Sequence, residues 1–217
     1  MAVDKSTLSV AVLALIAAGV SAPVILGQFL YEKEADRLTA YRDSKGLWTI
    51  CKGLTTWRDK PIQEGRHVTA EQCDTENKRR ETQAIAWVEH NVKVPLTATQ
   101  KAGVASFCYW NLGVGNCTRS TFWRELNAGN MQAACEQIKR WIYDSGRDCR
   151  IRTNHCAGQP VRRAQESALT CWGVDELAIF DKTVCLSADN GTFTRCQSLP
   201  HRGKTLENGS RRIAAAC

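Results

Sequence analysis

No charged residue stands between Lys5 and Glu32, and the run from Leu8 to Tyr31 reads LSVAVLALIAAGVSAPVILGQFLY. A helix needs about 20 apolar residues to cross a hydrocarbon core, so this segment is long enough to span a bilayer. It is also diluted by Ala11, Ala14, Ala17, Ala18, Gly19, Ser21, Ala22, Pro23, Gly27 and Gln28. Transfer of such a helix into lipid is only weakly favourable, which lets it leave the membrane again. Val20-Ser21-Ala22 resembles the small-residue cleavage site of a secretory signal. Against cleavage, Pro23 would follow the scissile bond, and the apolar run continues through Val24, Ile25, Leu26, Phe29 and Leu30. The uncleaved reading accounts for more residues. Lys5 biases the amino terminus towards the cytoplasm, so the remainder of the chain is expected outside it.

The cysteines agree with export. Eleven in 217 residues is far too many for a reduced cytosolic protein without metal, and no pair has the CxxC spacing of a zinc site. Disulfides in an oxidising compartment are the better reading. With 43% apolar and 24% charged residues the chain is neither disordered nor collagen-like. Its formal charge of +7 favours an anionic partner: nucleic acid, lipid headgroups or an acidic wall polymer. No nucleic-acid-binding motif accompanies that charge, so nucleic acid is not expected as a partner.

Glu32 to Arg37 opens a short helix, and the pattern then changes. Tyr41, Leu47, Trp48, Thr49, Ile50, Thr55, Thr56 and Trp57, punctuated by Gly46 and Gly53, read as short strands and turns, a small β lobe. From residue 69 the signals are helical. Thr69 with Gln72 and Thr97 with Gln100 match capping-box spacing. Val104, Phe107, Cys108 and Leu112 fall at helical spacing, as do Met131, Ala134, Ile138, Trp141 and Ile142. Asn127-Ala128-Gly129 reads as a helix stop, and residues 162–172 support one more helix. Past about residue 176 the pattern fades into a polar tail containing Cys185, Cys196 and Cys217. The organisation expected is an apolar segment (1–31), an α+β domain (32–176) and a cysteine-containing tail (177–217).

Glu34 sits on the first helix, Asp43 enters the β lobe nine residues later, and Thr49 follows six after that, with Gly46 and Gly53 at the turns. A helix end followed by a hairpin can bring a Glu, an Asp and a hydroxyl together, which is the equipment for cleaving a glycosidic bond. Glu34 suits the acid that protonates the leaving oxygen. Asp43, in a polar turn, suits the carboxylate that orients water with help from Thr49. Taken singly, such a pair is more often a solvated helix face and a turn residue.

The order of elements adds weight. Glu34, Tyr41, Asp43, Gly46, Thr49 and Gly53 are followed by Leu96-Thr97 with Gln100, Phe107, Asn111-Leu112-Gly113, Phe122 and Leu126 to Gly129. Trp141 and Arg162-Arg163 with Glu166 complete the series. Over residues 32–176 the chain resembles the phage-type lysozymes, and with its apolar start it resembles the signal-arrest-release endolysins of tailed bacteriophages.

The resemblance implies a two-lobed α+β fold with a cleft, and cleavage of the β-1,4 bond between N-acetylmuramic acid and N-acetylglucosamine with inversion. It places the acid on Glu34, the water-positioning carboxylate on Asp43 and the cleft hydroxyl on Thr49. Asn111 falls on the family's polar substrate-binding position. The basic partner of the Glu falls on Arg163, with Arg162 beside it as the alternative. It further implies that residues 8–30 hold the chain in the host inner membrane, facing the periplasm, before release into the periplasm. Peptidoglycan is the expected partner, a monomer is expected, and neither metal nor cofactor is called for.

Three positions depart from the family pattern: Ala35 and Cys51 where soluble members carry glycine, and Leu54 in place of a histidine or tyrosine. Local proximity suggests the pairs Cys108–Cys117, Cys149–Cys156 and Cys185–Cys196, and Cys51 is expected to pair with Cys73. Residues 1–50 contain no cysteine, so exchange of an active-site disulfide with the tether is ruled out, and activation is expected from release of the apolar helix. A lytic transglycosylase needs no water-positioning Asp, which Asp43 and Thr49 argue against; a non-catalytic wall-binding protein would not need all three polar residues.

Overall fold

The computed structural model describes residues 5–34, 36–43 and 46–174. A 3-10 turn (Lys5–Thr7) leads into helices α1 (Val10–Ala17) and α2 (Ala22–Glu34). Strands β1 (Arg37–Arg42), β2 (Trp48–Cys51), β3 (Thr56–Trp57) and β4 (Lys60–Pro61) follow, and then α3 (Ala70–Asn91) and α4 (Ala98–Val104). A π-helical stretch (Ala105–Leu112) continues α4, succeeded by α5 (Val114–Thr118), α6 (Thr121–Asn127) and α7 (Met131–Ile138). A hairpin of β5 (Tyr143–Asp144) and β6 (Arg147–Asp148), a 3-10 turn (Arg152–Asn154) and α8 (Gly158–Thr170) complete the order.

The apolar run is two helices rather than one span. Ser9 caps α1 by accepting from the Val12 N–H. The chain then turns through Gly19 at φ +65°, a left-handed conformation that favours glycine. Pro23 sits in the first turn of α2, where its missing N–H deprives no helical bond. No helix among the described residues is long and apolar enough to cross a membrane. Instead Leu8, Val12, Ile25, Leu26, Phe29 and Leu30 are buried with Ala84, Ile85 and Val88 of α3, Phe107, Phe122, Leu126, Ile138 and Leu169. Of the charged residues expected to open a short helix, Glu32, Lys33 and Glu34 form the last turn of α2, and Arg37 begins β1.

The β lobe has its own small core of Ile50, Cys51, Leu54, Ile62, Val68 and Cys73. Its β1–β2 hairpin is antiparallel, with Tyr41 opposite Thr49 and Arg42 opposite Trp48, and an irregularity between Arg37 and Tyr41. Both capping boxes are present, at Thr69 with Gln72 and at Thr97 with Gln100. Gly129 at φ +80° ends the α6 segment as expected. Trp141 and Ile142 lie beyond α7 and not on it, because the chain leaves the helix after Ile138 to form the β5–β6 hairpin.

Disulfides join Cys51 to Cys73, Cys108 to Cys117 and Cys149 to Cys156, as the sequence suggests; a fourth joins Cys135 of α7 to Cys171 beyond α8. The suggested Cys185–Cys196 pair and the tail fall outside the described residues.

Helix α4 meets α8 at Gly103. A Cβ there would lie 2.6 Å from the Thr170 backbone nitrogen and 2.9 Å from Leu169 Cβ. Gly103→Ala is therefore expected to lower stability by about 1–3 kcal/mol through overpacking. A denaturant titration checks this: an unchanged midpoint would mean that α4 and α8 part without penalty.

Candidate active site

Glu34 is the last residue of α2, at the passage from the helical lobe to β1. Its Oε1 accepts from Arg162 Nη1 at 2.5 Å. Arg162, on α8, also donates through Nε to Glu166 Oε1 at 3.2 Å. Glu166 is fully buried and accepts from Ser106 Oγ at 2.7 Å, and its Oε2 pairs with Arg163 Nη2 at 2.8 Å. Two arginines and two glutamates thus form one balanced chain, as charges removed from water require.

The residue that reaches Glu34 is Arg162, which corrects the preference for Arg163. Successive side chains on a helix point about 100° apart, so only one of the two can face α2. Arg163 is turned inward, 1% exposed, with its guanidinium 5.2 Å from the Phe107 ring centroid. Burial pushes the Arg163 pKa down, the Glu166 charge resists and Arg162 adds to the fall. For Arg162 burial acts in the same downward sense, but Glu166 and Glu34 outweigh it and hold its pKa above the ordinary value. Spacing in the sequence does not separate the two arginines, since they stand four and three residues before Glu166 and both pair with it. Ser106 carries no signal either; it is a small polar residue within an apolar helix.

The other carboxylate comes from the hairpin. Asp43 follows β1 directly, where its N–H donates to the Leu47 carbonyl at 2.9 Å and its Oδ1 accepts from the Leu47 N–H at 2.8 Å. Gly46, at φ +78°, closes the turn by donating to the Asp43 carbonyl at 3.0 Å. Thr49, on β2, is buried and donates its hydroxyl to the same Leu47 carbonyl at 3.1 Å. Tyr41 faces Thr49 across the hairpin. Its pKa is raised, first by burial, then by the negative charge of Glu34, with Asp43 adding to the rise and Arg37 opposing it. Both carboxylates therefore bear on one phenol, which stands across the hairpin from Thr49.

Gly53, at φ +76°, lies under the second oxygen of Glu34; a Cβ there would come 3.2 Å from Oε2. Cys51 is itself left-handed at φ +54°, which explains why glycine suits that position elsewhere, and its disulfide to Cys73 ties β2 to α3. Leu54 is 3% exposed and part of the β-lobe core, so it packs inward instead of presenting a side chain to a ligand. Asn111 and Arg163 are brought together elsewhere: they line one hollow of about 600 Å³ with Asn116, Trp141, Tyr143 and His155. Glu34, Asp43 and Thr49 are not among its lining residues.

Residues 31–166 match the family model described as phage lysozyme. The chain is 60% identical over 168 residues to the SAR-endolysin of Escherichia phage 933W, covering 77% of this chain and 95% of that one. It is 57% identical over 169 residues to a probable prophage lysozyme of Escherichia coli strain K12, covering 78% and 96%. Among solved structures it is similar to an endolysin from the Escherichia coli O157:H7 phage FAHEc1, with a TM-score of 0.56 and 27% identity over 70% of this chain and 91% of that one. The matched stretch contains the β lobe, most of the helical lobe and every residue of the Glu34–Arg162–Glu166 chain, and this protein belongs to the phage lysozyme family.

Proposed function

We propose that this chain is a signal-arrest-release endolysin, a muramidase that hydrolyses the β-1,4 bond between N-acetylmuramic acid and N-acetylglucosamine in peptidoglycan and so lyses the host cell. The observation that carries the reading is the fixing of Glu34 at the junction of the lobes by Arg162. Arg162 holds Oε1, which leaves Oε2, over Gly53, as the oxygen that delivers a proton to the leaving sugar. Asp43, locked into the hairpin turn by Leu47, orients the attacking water, and Thr49 supports that water from β2. Attack from the face opposite the departing oxygen inverts the anomeric carbon. Asn111 and the hollow it shares with Arg163 accommodate a more distant part of the wall polymer. The enzyme works as a monomer.

Residues 8–30 hold the new protein in the inner membrane with the domain facing the periplasm. On release the same apolar side chains enter the helical lobe. Support comes from the double use of one surface: Val12, Ile25, Leu26, Phe29 and Leu30 belong to the uncharged run and are buried in the core. Because Glu34 is the end of α2, the acid is out of place while α2 is in lipid, and the tethered enzyme is inactive.

Full-length protein incubated with purified peptidoglycan is expected to release fragments with reducing muramic ends, read by mass spectrometry. Glu34→Gln should slow that release by about 10²–10⁴-fold, the usual contribution of a general acid. Anhydro-muramic ends would instead indicate a transglycosylase and remove the role given to Asp43. Release is tested separately by Ala11→Leu, Ala14→Leu and Ala17→Leu together, since these α1 positions are exposed in the folded domain. Leucine strengthens membrane insertion, so the triple variant should stay membrane-bound and fail to lyse cells, yet cut peptidoglycan normally once extracted in detergent. Lysis on the normal schedule would sink the release mechanism.

A further inference from the structure

Lys52 follows the strained Cys51 and precedes Gly53, on which Glu34 rests. It is only 9% exposed, an uncommon place for a lysine. Four hydrogen bonds converge on it. Its Nζ donates to the Gly27 carbonyl of α2 at 3.2 Å and to Glu81 Oε1 of α3 at 3.2 Å. Its backbone N–H donates to Asn77 Oδ1 at 3.4 Å, and its carbonyl accepts from Trp110 Nε1 at 3.0 Å. One residue of the β lobe thus joins α2, α3 and the π-helical stretch.

The partners are as enclosed as Lys52. Glu81 is 4% exposed and Asn77 fully buried. Asn77 turns its other end to the chain beyond the active carboxylate, donating Nδ2 to Asp36 Oδ1 at 2.9 Å. Gly27 meets Glu81 so closely that a Cβ would lie 2.7 Å from Glu81 Oε2. Glycine inside a helix costs stability, and here it admits the carboxylate that holds Lys52. Polar contacts therefore grip α2 seven residues before Glu34 and the connecting chain two residues after it.

We propose that Lys52 and Glu81, with Asn77, are positioning residues that clamp the end of α2 against Gly53 and so set where Glu34 points. They touch no reacting atom. A buried ion pair is a poor source of stability, because desolvation consumes most of its attraction. What it supplies is direction: a lysine bonded to one helix carbonyl and one carboxylate allows one placement of α2, where apolar side chains alone would allow several. The clamp rests on the assignment of Glu34 as the acid.

The test replaces the pair by apolar groups of similar volume, Lys52→Met with Glu81→Leu, in the full-length protein. Such a swap is commonly neutral or stabilising, so a thermal melt close to wild type is expected. With soluble peptidoglycan fragments, kcat should fall about 10–100-fold, the scale of a roughly 1 Å misplacement, while KM stays within about twofold. A folded double variant with wild-type kcat, or with KM raised and kcat unchanged, overturns the clamp. Glu81→Gln, a change of one atom, should lower kcat without raising KM and keeps the question answerable if the double variant does not fold; wild-type kcat there also counts against the clamp. Glu34→Gln run alongside separates the two ideas. If it is inactive while the double variant is fast, the clamp alone falls. If it turns over normally, the acid assignment falls and takes the clamp with it.

Discussion

Every polar contact around Glu34 presupposes that α2 lies in the helical lobe. That placement is hydrophobic in origin: Ile25, Leu26, Phe29 and Leu30 are almost completely buried, each contributing about 1.5–3 kcal/mol. Short polar ties then fix the register. Ser9 donates to Glu32 Oε1 at 2.6 Å, Gln28 donates to the same oxygen at 2.9 Å, and Gln165 of α8 donates to the Thr7 carbonyl at 2.7 Å. Apolar burial supplies the energy, and hydrogen bonds at both ends of the segment choose the geometry. The carboxylate at the end of α2 inherits that geometry.

Charge is arranged on the same plan. Arg162, Arg163, Glu34 and Glu166 come together where α2 and α8 approach Ser106, and Lys52 with Glu81 do so where β2 approaches α3. Isolated buried charges would be prohibitively costly, so the Arg162–Glu34 and Lys52–Glu81 pairs, whose partners sit on different elements, form only when those elements are docked, while Arg162–Glu166 and Arg163–Glu166 lie within α8. Burial pushes the Glu81 pKa upward and Lys52 only partly offsets it. Unlike surface ion pairs, the two between elements depend on how those elements are placed, and both bear on α2, through Glu34 and through the Gly27 carbonyl that Lys52 grips.

Much of this was legible in the sequence because the signals were local. The capping boxes at Thr69 and Thr97, the stop at Gly129 and the near-neighbour pairs Cys108–Cys117 and Cys149–Cys156 each depend on a few adjacent residues, and all appear in the structure. Long-range facts were not legible. Cys135 and Cys171 lie 36 residues apart, and only the packing of α7 on α8 brings them together. Choosing between Arg162 and Arg163 needs the rotational phase of α8. Gly19 and Pro23 were visible as diluents of an apolar run; that they break it into two helices follows from a core able to receive α1 and α2 separately. Nothing in the sequence marks Lys52, because its partners on α2, α3 and the π-helical stretch stand 25 or more residues away.

The cysteines bear on how such a chain can be switched. Cys51 is paired with Cys73, and residues 1–50 offer no thiol to displace either. The β lobe can therefore be covalently complete, its hairpin turn and Asp43 in place, whether or not α2 has docked. What the lobe lacks without α2 is the carboxylate that α2 carries and the Gly27 carbonyl that Lys52 grips. A covalent switch would have to change the lobe itself; under the proposed release mechanism the lobe stays as it is and a helix arrives. The same side chains that make residues 8–30 acceptable to lipid make α2 acceptable to the core, so passage from one to the other needs no change in chemistry, only a segment weakly enough held by the membrane to leave it.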